Sequence, residues 1–248
     1  MKKVMGATIA AGAAMLGSAA LSAPAHAEVS YNIGIATDYI FRGLDALPSY
    51  YGDDAGPQAF GGADVTVEQF YAGVWLSNMG YGYDQGVEYD LYAGWKPQLG
   101  PVALDLGVIY YGYKDGEYND YSDGNTIELK AAGSIPVGGA TLGAAVYWTP
   151  DYVGDVNGSD DDASVYYEAN AAYSFANKAT LSGAIGVVTL DDDVYTIDSY
   201  TTGNVGVTFP ITDNLSVDGR FITVNDDAVD EFGNVAQDKL VATLKATF

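Results

Sequence analysis

The stretch that decides the fold is KLVATLKATF, residues 239–248. Leu240, Ala242, Leu244, Ala246 and Phe248 alternate with Lys239, Val241, Thr243, Lys245 and Thr247, so one face is apolar and the other mostly polar. Alternation at period two marks a strand that separates two environments. Such a strand needs a cover for its apolar face and a partner for its free backbone edge.

The same alternation recurs upstream. In VSYNIGIATDYIFRG (29–43) one face reads Val29, Tyr31, Ile33, Ile35, Thr37, Tyr39, Phe41, and the other Ser30, Asn32, Gly34, Ala36, Asp38, Ile40, Arg42. Further segments fall near 58–68, 70–78, 87–96, 102–112, 126–135, 140–149, 164–175, 178–190, 199–209, 215–224 and 239–248. The connections alternate too. Short ones lie at 68–69, 96–101, 135–139, 175–178 and 209–214; long ones lie near 44–57, 78–86, 113–125, 150–163, 190–198 and 225–238. Gly, Pro, Asn and Asp supply the turn chemistry in both sets. Twelve strands joined in this rhythm predict an all-β, antiparallel, up-and-down sheet with every short turn at one end.

Residues 1–27 carry a different pattern. Lys2 and Lys3 precede a small-residue apolar run and an Ala25-His26-Ala27 end, which predicts a secretory signal peptide cleaved after Ala27. The expected domains are therefore the signal, 1–27, and one sheet domain, 28–248. Within 28–248, 33 acidic residues face eight basic ones, with neither Cys nor His. Disulfides, Ser–His and Cys–His catalysis and His/Cys zinc sites are excluded there. Neither an enzyme nor a cofactor is expected. Richness in aromatic residues, 21 Tyr among them, and in β-branched residues argues against disorder despite the acidity.

A soluble sandwich and a transmembrane barrel both satisfy the alternation. In the register above, no strand-borne charge falls on the apolar face. That face carries Phe70, Trp95, Phe175, Phe209 and Phe248 at the short-turn end and Tyr39, Phe41, Tyr110, Trp148, Tyr167 and Phe221 towards the long loops. Two aromatic girdles around an aliphatic band match the two interfaces of a bilayer. The expected fold is a transmembrane barrel of about twelve strands, the last closing on the first so that no edge is left in hydrocarbon. Phe248 then lies at the interface, and a terminal Phe on such a strand resembles the signal that outer-membrane barrels present to their assembly machinery.

ATDYIFRG (36–43), FYAGVWLSN (70–78), EYDLYAGW (88–95) and LGVIYYGY (106–113) resemble the TorF family of porin-type outer-membrane proteins of Gram-negative bacteria. The resemblance implies an outer-membrane barrel and brings no catalytic or binding residue with it. Its motifs thin out in the second half of the chain.

The face opposite the apolar one is the candidate site. It holds the acids Asp38, Asp64, Glu88, Asp90, Asp105, Glu128, Glu168 and Asp218 and the bases Arg42, Lys96, Lys130, Arg220, Lys239 and Lys245. Unpaired ions buried dry cost several kcal/mol each, so either water fills the lumen or the ions pair across it. A twelve-stranded barrel is wider than the eight-stranded kind that side chains just fill, which favours a narrow water path lined by these residues. Tyr92, Tyr111, Tyr113, Tyr147 and Tyr166 also point inward and constrict it. The alternative is a plugged barrel with an internal salt-bridge network.

The long loops hold 22 acids against one base, Lys114, and form an acidic mouth that includes Asp155, Asp160, Asp161, Asp162, Asp191, Asp192 and Asp193. The run Asp155–Asp160 resembles the start of a calcium loop, but Asp160 stands where that loop needs Gly and no closing Glu follows. A solvated acidic rim is the better reading, no metal site is assigned, and the charge opposes binding to nucleic acid. The expected function is passive diffusion of small hydrophilic solutes, with preference for cations. The alternative is a non-conducting barrel whose acidic loops serve adhesion or divalent-cation binding. The expected partners are outer-membrane lipid, the assembly machinery and small solutes or cations.

Overall fold

The computed structural model describes residues 27–46, 56–81, 84–114, 124–152, 163–191 and 195–248. Twelve long antiparallel strands form one sheet: β1 (Glu28–Ala36), β2 (Gln58–Val67), β3 (Phe70–Tyr81), β4 (Asp84–Trp95), β5 (Val102–Lys114) and β6 (Thr126–Val137). They continue as β7 (Ala140–Thr149), β8 (Ser164–Ser174), β9 (Thr180–Thr189), β10 (Ser199–Pro210), β11 (Leu215–Val224) and β12 (Lys239–Thr247). Each pairs with its neighbours in sequence, and β12 returns to β1, with Ile33 opposite Ala246 and Ile35 opposite Leu244. The barrel is closed. Backbone bonds between Tyr31 and Phe248 (3.1 and 2.9 Å) carry the closure to the last residue.

Closure leaves the apolar faces outside. Ile33, Phe70, Leu91, Ile185, Val205 and Leu240 are all exposed, part of a belt that runs round the barrel and that water would not tolerate. Phe70, Trp95, Phe175, Phe209 and Phe248 ring its turn end; Trp148, Tyr167 and Phe221 stand towards the loops. A bilayer is the solvent that covers such a belt. Among the described strand residues the charge on the outward parity is Lys114, at the loop-end rim opposite Val87. Among the described residues no helix is long and apolar enough to cross a membrane.

Tight turns explain the short connections. Glu68 (φ 55°) and Gly138 (φ 61°) adopt left-handed backbone in the two-residue turns after β2 and β6, the conformation such hairpins need. The Gly and Tyr content has a packing reason. Tyr92 lies across the strand from Gly73, and Tyr71 from Gly94. A Cβ built on either glycine would meet the opposing ring at about 2.5 Å.

Three expectations need correction. β1 stops at Ala36 instead of running to residue 43, and the chain turns into the barrel. Tyr39 and Phe41 are therefore inside, against Trp75 and Tyr111, and not in the outer girdle. Residues 78–86 are not a long loop: β3 and β4 pair as far as Tyr81 opposite Asp84. The connection 225–238 contains a helix, α1 (Asp226–Phe232).

Candidate functional site

All the charged residues expected on the inner face lie inside the barrel, but in two different settings. Nearer the turn end the lumen is polar and partly exposed. Lys130 donates to Asp105 at 2.7 Å, Lys96 stands 4.0 Å from the same carboxylate, and Tyr71 donates to its other oxygen at 2.7 Å. Tyr92 donates to Asp64 at 2.6 Å. Arg220 spreads its guanidinium over Asp218 (3.3 Å), Asn204 (2.6 Å) and Ser182 (3.0 Å). Lys245 makes no ion pair among the described residues; its ammonium lies 5.9 Å from the Phe60 ring centroid. The Lys96 side chain retains 34% of its exposure. This half is wet.

Towards the loop end the lumen is filled. The segment after β1 folds inward as a small hairpin, Ile40–Phe41 pairing with Leu44–Asp45 around Arg42 (φ 49°) and Gly43 (φ 88°). Two consecutive left-handed residues form the tight turn of this hairpin. Only glycine fits the second, because a Cβ on Gly43 would meet Val224 at 2.4 Å and Thr202 at 2.6 Å. The turn drives Arg42 against the opposite wall, where it donates to Glu128 at 2.6 Å. The rings of Phe41, Tyr166 and Tyr147 surround its guanidinium at 4.7, 4.6 and 5.2 Å. Burial opposes the Arg42 charge, but the Glu128 carboxylate together with the neighbouring Tyr111 and Tyr152 outweighs it and raises the guanidinium pKa above its ordinary value.

Glu128 is 1% exposed and also accepts from Tyr111 (3.0 Å) and Thr149 (2.9 Å). Glu168 accepts from Tyr166 and Asn170, both at 2.9 Å. Glu88 and Asp90 are buried near Tyr39. Lys239 on β12 bridges Asp38 (3.4 Å) and Asp45 (3.3 Å), the two ends of the inserted hairpin. A second insertion comes from 225–238: Ala228 and Ala236, fully buried, pack with Tyr152, Tyr166, Val188, Leu190 and Tyr200. Phe232 meets Tyr200 edge-on at 5.5 Å.

Asp191 lies within the described residues, its carbonyl accepting from the Tyr195 amide at 3.0 Å. Asp155, Asp160, Asp161, Asp162, Asp192 and Asp193 lie outside them, as do the signal segment through His26 and the calcium-loop resemblance. Among the described residues no group of three or more His, Cys, Asp or Glu could hold a metal ion. Sequence reading missed Asp45 and the inward role of Tyr39 and Trp75. The Arg42-Gly43 pair between apolar residues was the available signal, an X-Gly hairpin turn.

A family model described as "Bacterial protein of unknown function (Gcw_chp)" matches residues 20–248. No curated protein matches the sequence. Among solved structures, the NanC porin aligns with a TM-score of 0.56 at 10% identity, over 89% of this chain and 99% of its own. The KdgM porin gives 0.55 at 9% identity, over 90% and 98%. An outer-membrane channel from Pseudomonas putida F1 gives 0.51 at 12% identity, over 92% and 96%. At these identities the likeness is one of fold: a porin-like barrel of the outer-membrane kind.

Proposed function

The chain belongs to the Gcw_chp family of bacterial proteins, and from that premise and the lumen geometry we propose that it is an outer-membrane porin, a passive diffusion channel for small hydrophilic solutes that prefers cations. One observation carries the reading: a closed twelve-stranded barrel with an apolar belt outside and an inner face of charges and hydrogen-bonding side chains, those of the turn-side half partly exposed. A barrel that only had to stand in a membrane gains nothing from such a lining, because buried ions cost free energy unless water or partners compensate. Asp64, Lys96, Asp105, Lys130, Asp218, Arg220 and Lys245 are the pore-lining candidates on the wet side.

The cation preference rests on charge placement. The inner ions largely neutralise one another, so the selecting charge is the excess of acids in the loops. Export is part of the proposal: Ala25-His26-Ala27 is a cleavage site, and Phe248 is the signal read by the assembly machinery. A second reading, a non-conducting barrel that presents acidic loops for adhesion or divalent-cation binding, draws on the packed layer around Arg42 and Glu128. Liposome swelling separates the two. Vesicles carrying the refolded protein are expected to swell in isosmotic solutions of small uncharged solutes and to stop as solute size grows. Swelling no faster than that of protein-free vesicles, for every solute, would favour the non-conducting reading.

A further inference from the structure

We propose that Thr37–Ala46 is a gate: a strap across the lumen, latched by Arg42 on Glu128, that closes the barrel in this arrangement and leaves the far wall when solutes pass. The inference rests on the channel reading above and adds the device that controls it.

Topology makes the segment a cross-beam. In a closed ring of twelve strands β1 and β7 are diametrically opposed, and the chain that leaves β1 at Ala36 places Arg42 against Glu128 of β6, Tyr147 of β7 and Tyr166 of β8. On the way Tyr39 meets Trp75 of β3, and Phe41 meets Tyr111 of β5. Gly43 lies against Thr202 and Val224 of β10 and β11, and Asp38 and Asp45 meet Lys239 of β12. The strap thus touches wall all round. Its level is dry: Arg42, Asp45, Glu88, Asp90 and Glu128 are each 7% exposed or less, although ionisable side chains on a porin's inner face would ordinarily be wet. A solute cannot pass a layer that already excludes water.

The strap is built to come away. Among the described residues its one backbone hydrogen bond to the wall is at its root, from the Thr37 amide to the Ala242 carbonyl at 3.0 Å. Everything further along is side-chain contact, so it can leave without breaking a strand ladder. The shut arrangement also carries costs that opening relieves. Arg42 holds a left-handed φ that non-glycine residues disfavour. Asn32 Oδ1, Trp75 Nε1 and Asp90 Oδ1 are buried without a hydrogen-bond partner among the described residues. They lie on one inward row, Asn32–Gly62–Trp75–Asp90 across β1 to β4. A latch of two ion pairs beyond the strap's root, Arg42–Glu128 and Asp45–Lys239, set against these costs is a two-state element.

The test is single-channel recording in planar bilayers of residues 28–248 as wild type, Arg42→Ala and Glu128→Gln, each first shown to be folded by heat-modifiable electrophoretic mobility. Both variants are expected to move the shut–open ratio towards open by about 100-fold, as expected when one partner of a buried ion pair is removed. Folded variants with the wild-type open fraction would overturn the gate and leave the channel standing. Silence from wild type and variants alike would overturn both. Hydrogen–deuterium exchange on the wild type needs no variant: amides of residues 40–45 should exchange orders of magnitude faster than those of β3 to β6. Equal protection would also overturn the gate.

Discussion

At the scale of single residues, the barrel is fitted together by glycine–aromatic pairs across neighbouring strands. Gly73 sits opposite Tyr92, whose ring fills the space a side chain would need and whose hydroxyl reaches Asp64. Gly219, on the outer face of β11, has nothing within 4 Å of its virtual Cβ. The two therefore give opposite predictions for the same change. Gly73→Ala forces Tyr92 off its position and is expected to destabilise by about 1–3 kcal/mol, the usual cost of overpacking. Gly219→Ala should stay within about 0.5 kcal/mol of wild type. Urea unfolding in detergent or lipid measures both. Equal effects would mean that the Gly73–Tyr92 contact does not constrain the wall.

At the scale of strands, the two faces are set by register, and charge reads them apart. Leu91 points outward from β4 opposite Val74, within the apolar belt. Thr243 points inward from β12 opposite Asp218. Leu91→Arg is expected to cost about 2–4 kcal/mol of stability in a bilayer, whereas Thr243→Arg gains a carboxylate neighbour and should cost little. Comparable refolding losses would mean the faces are assigned wrongly. Most of the wall was legible in the sequence because period-two alternation states directly which side meets which solvent. KLVATLKATF is one such stretch, and its pairing with β1 appears as expected. Alternation failed where it continued past a strand's end: Thr37, Tyr39 and Phe41 keep the rhythm of β1, so nothing in the periodicity marks the turn inward at Ala36. The ion pairs were illegible for a related reason. Arg42 and Glu128 stand 86 residues apart and meet only because the ring brings the loop after β1 against β6.

At the scale of the whole molecule, charge is segregated. Inside, Arg42, Lys130, Arg220 and Lys239 are committed to carboxylates, while segments 46–57, 115–125, 150–163, 190–198 and 225–238 between the strands hold 20 acids and no Lys or Arg. On the export proposal these segments lie on one side of a membrane, and the mature chain is expected to begin at Glu28. Intact mass of protein taken from outer membranes should correspond to 28–248; retention of Lys2 and Lys3 would contradict the export proposal. At physiological salt a charge acts over about 8 Å, comparable to the mouth of a small barrel, and the proposed cation preference rests on these acids concentrating cations at the entrance. Replacing Asp160, Asp161, Asp162, Asp191, Asp192 and Asp193 by Asn should weaken the preference at low salt without disturbing the fold.

The most direct test of the channel itself is the zero-current potential of the protein in a planar bilayer under a potassium chloride gradient. Discrete conductance steps are expected, with a potential of the sign that marks cation preference. That potential should shrink as salt is raised towards 1 M, where screening shortens to about 3 Å. A potential of the opposite sign would contradict the electrostatic account. The absence of any conductance, from folded wild type and from folded Arg42→Ala alike, would contradict the channel.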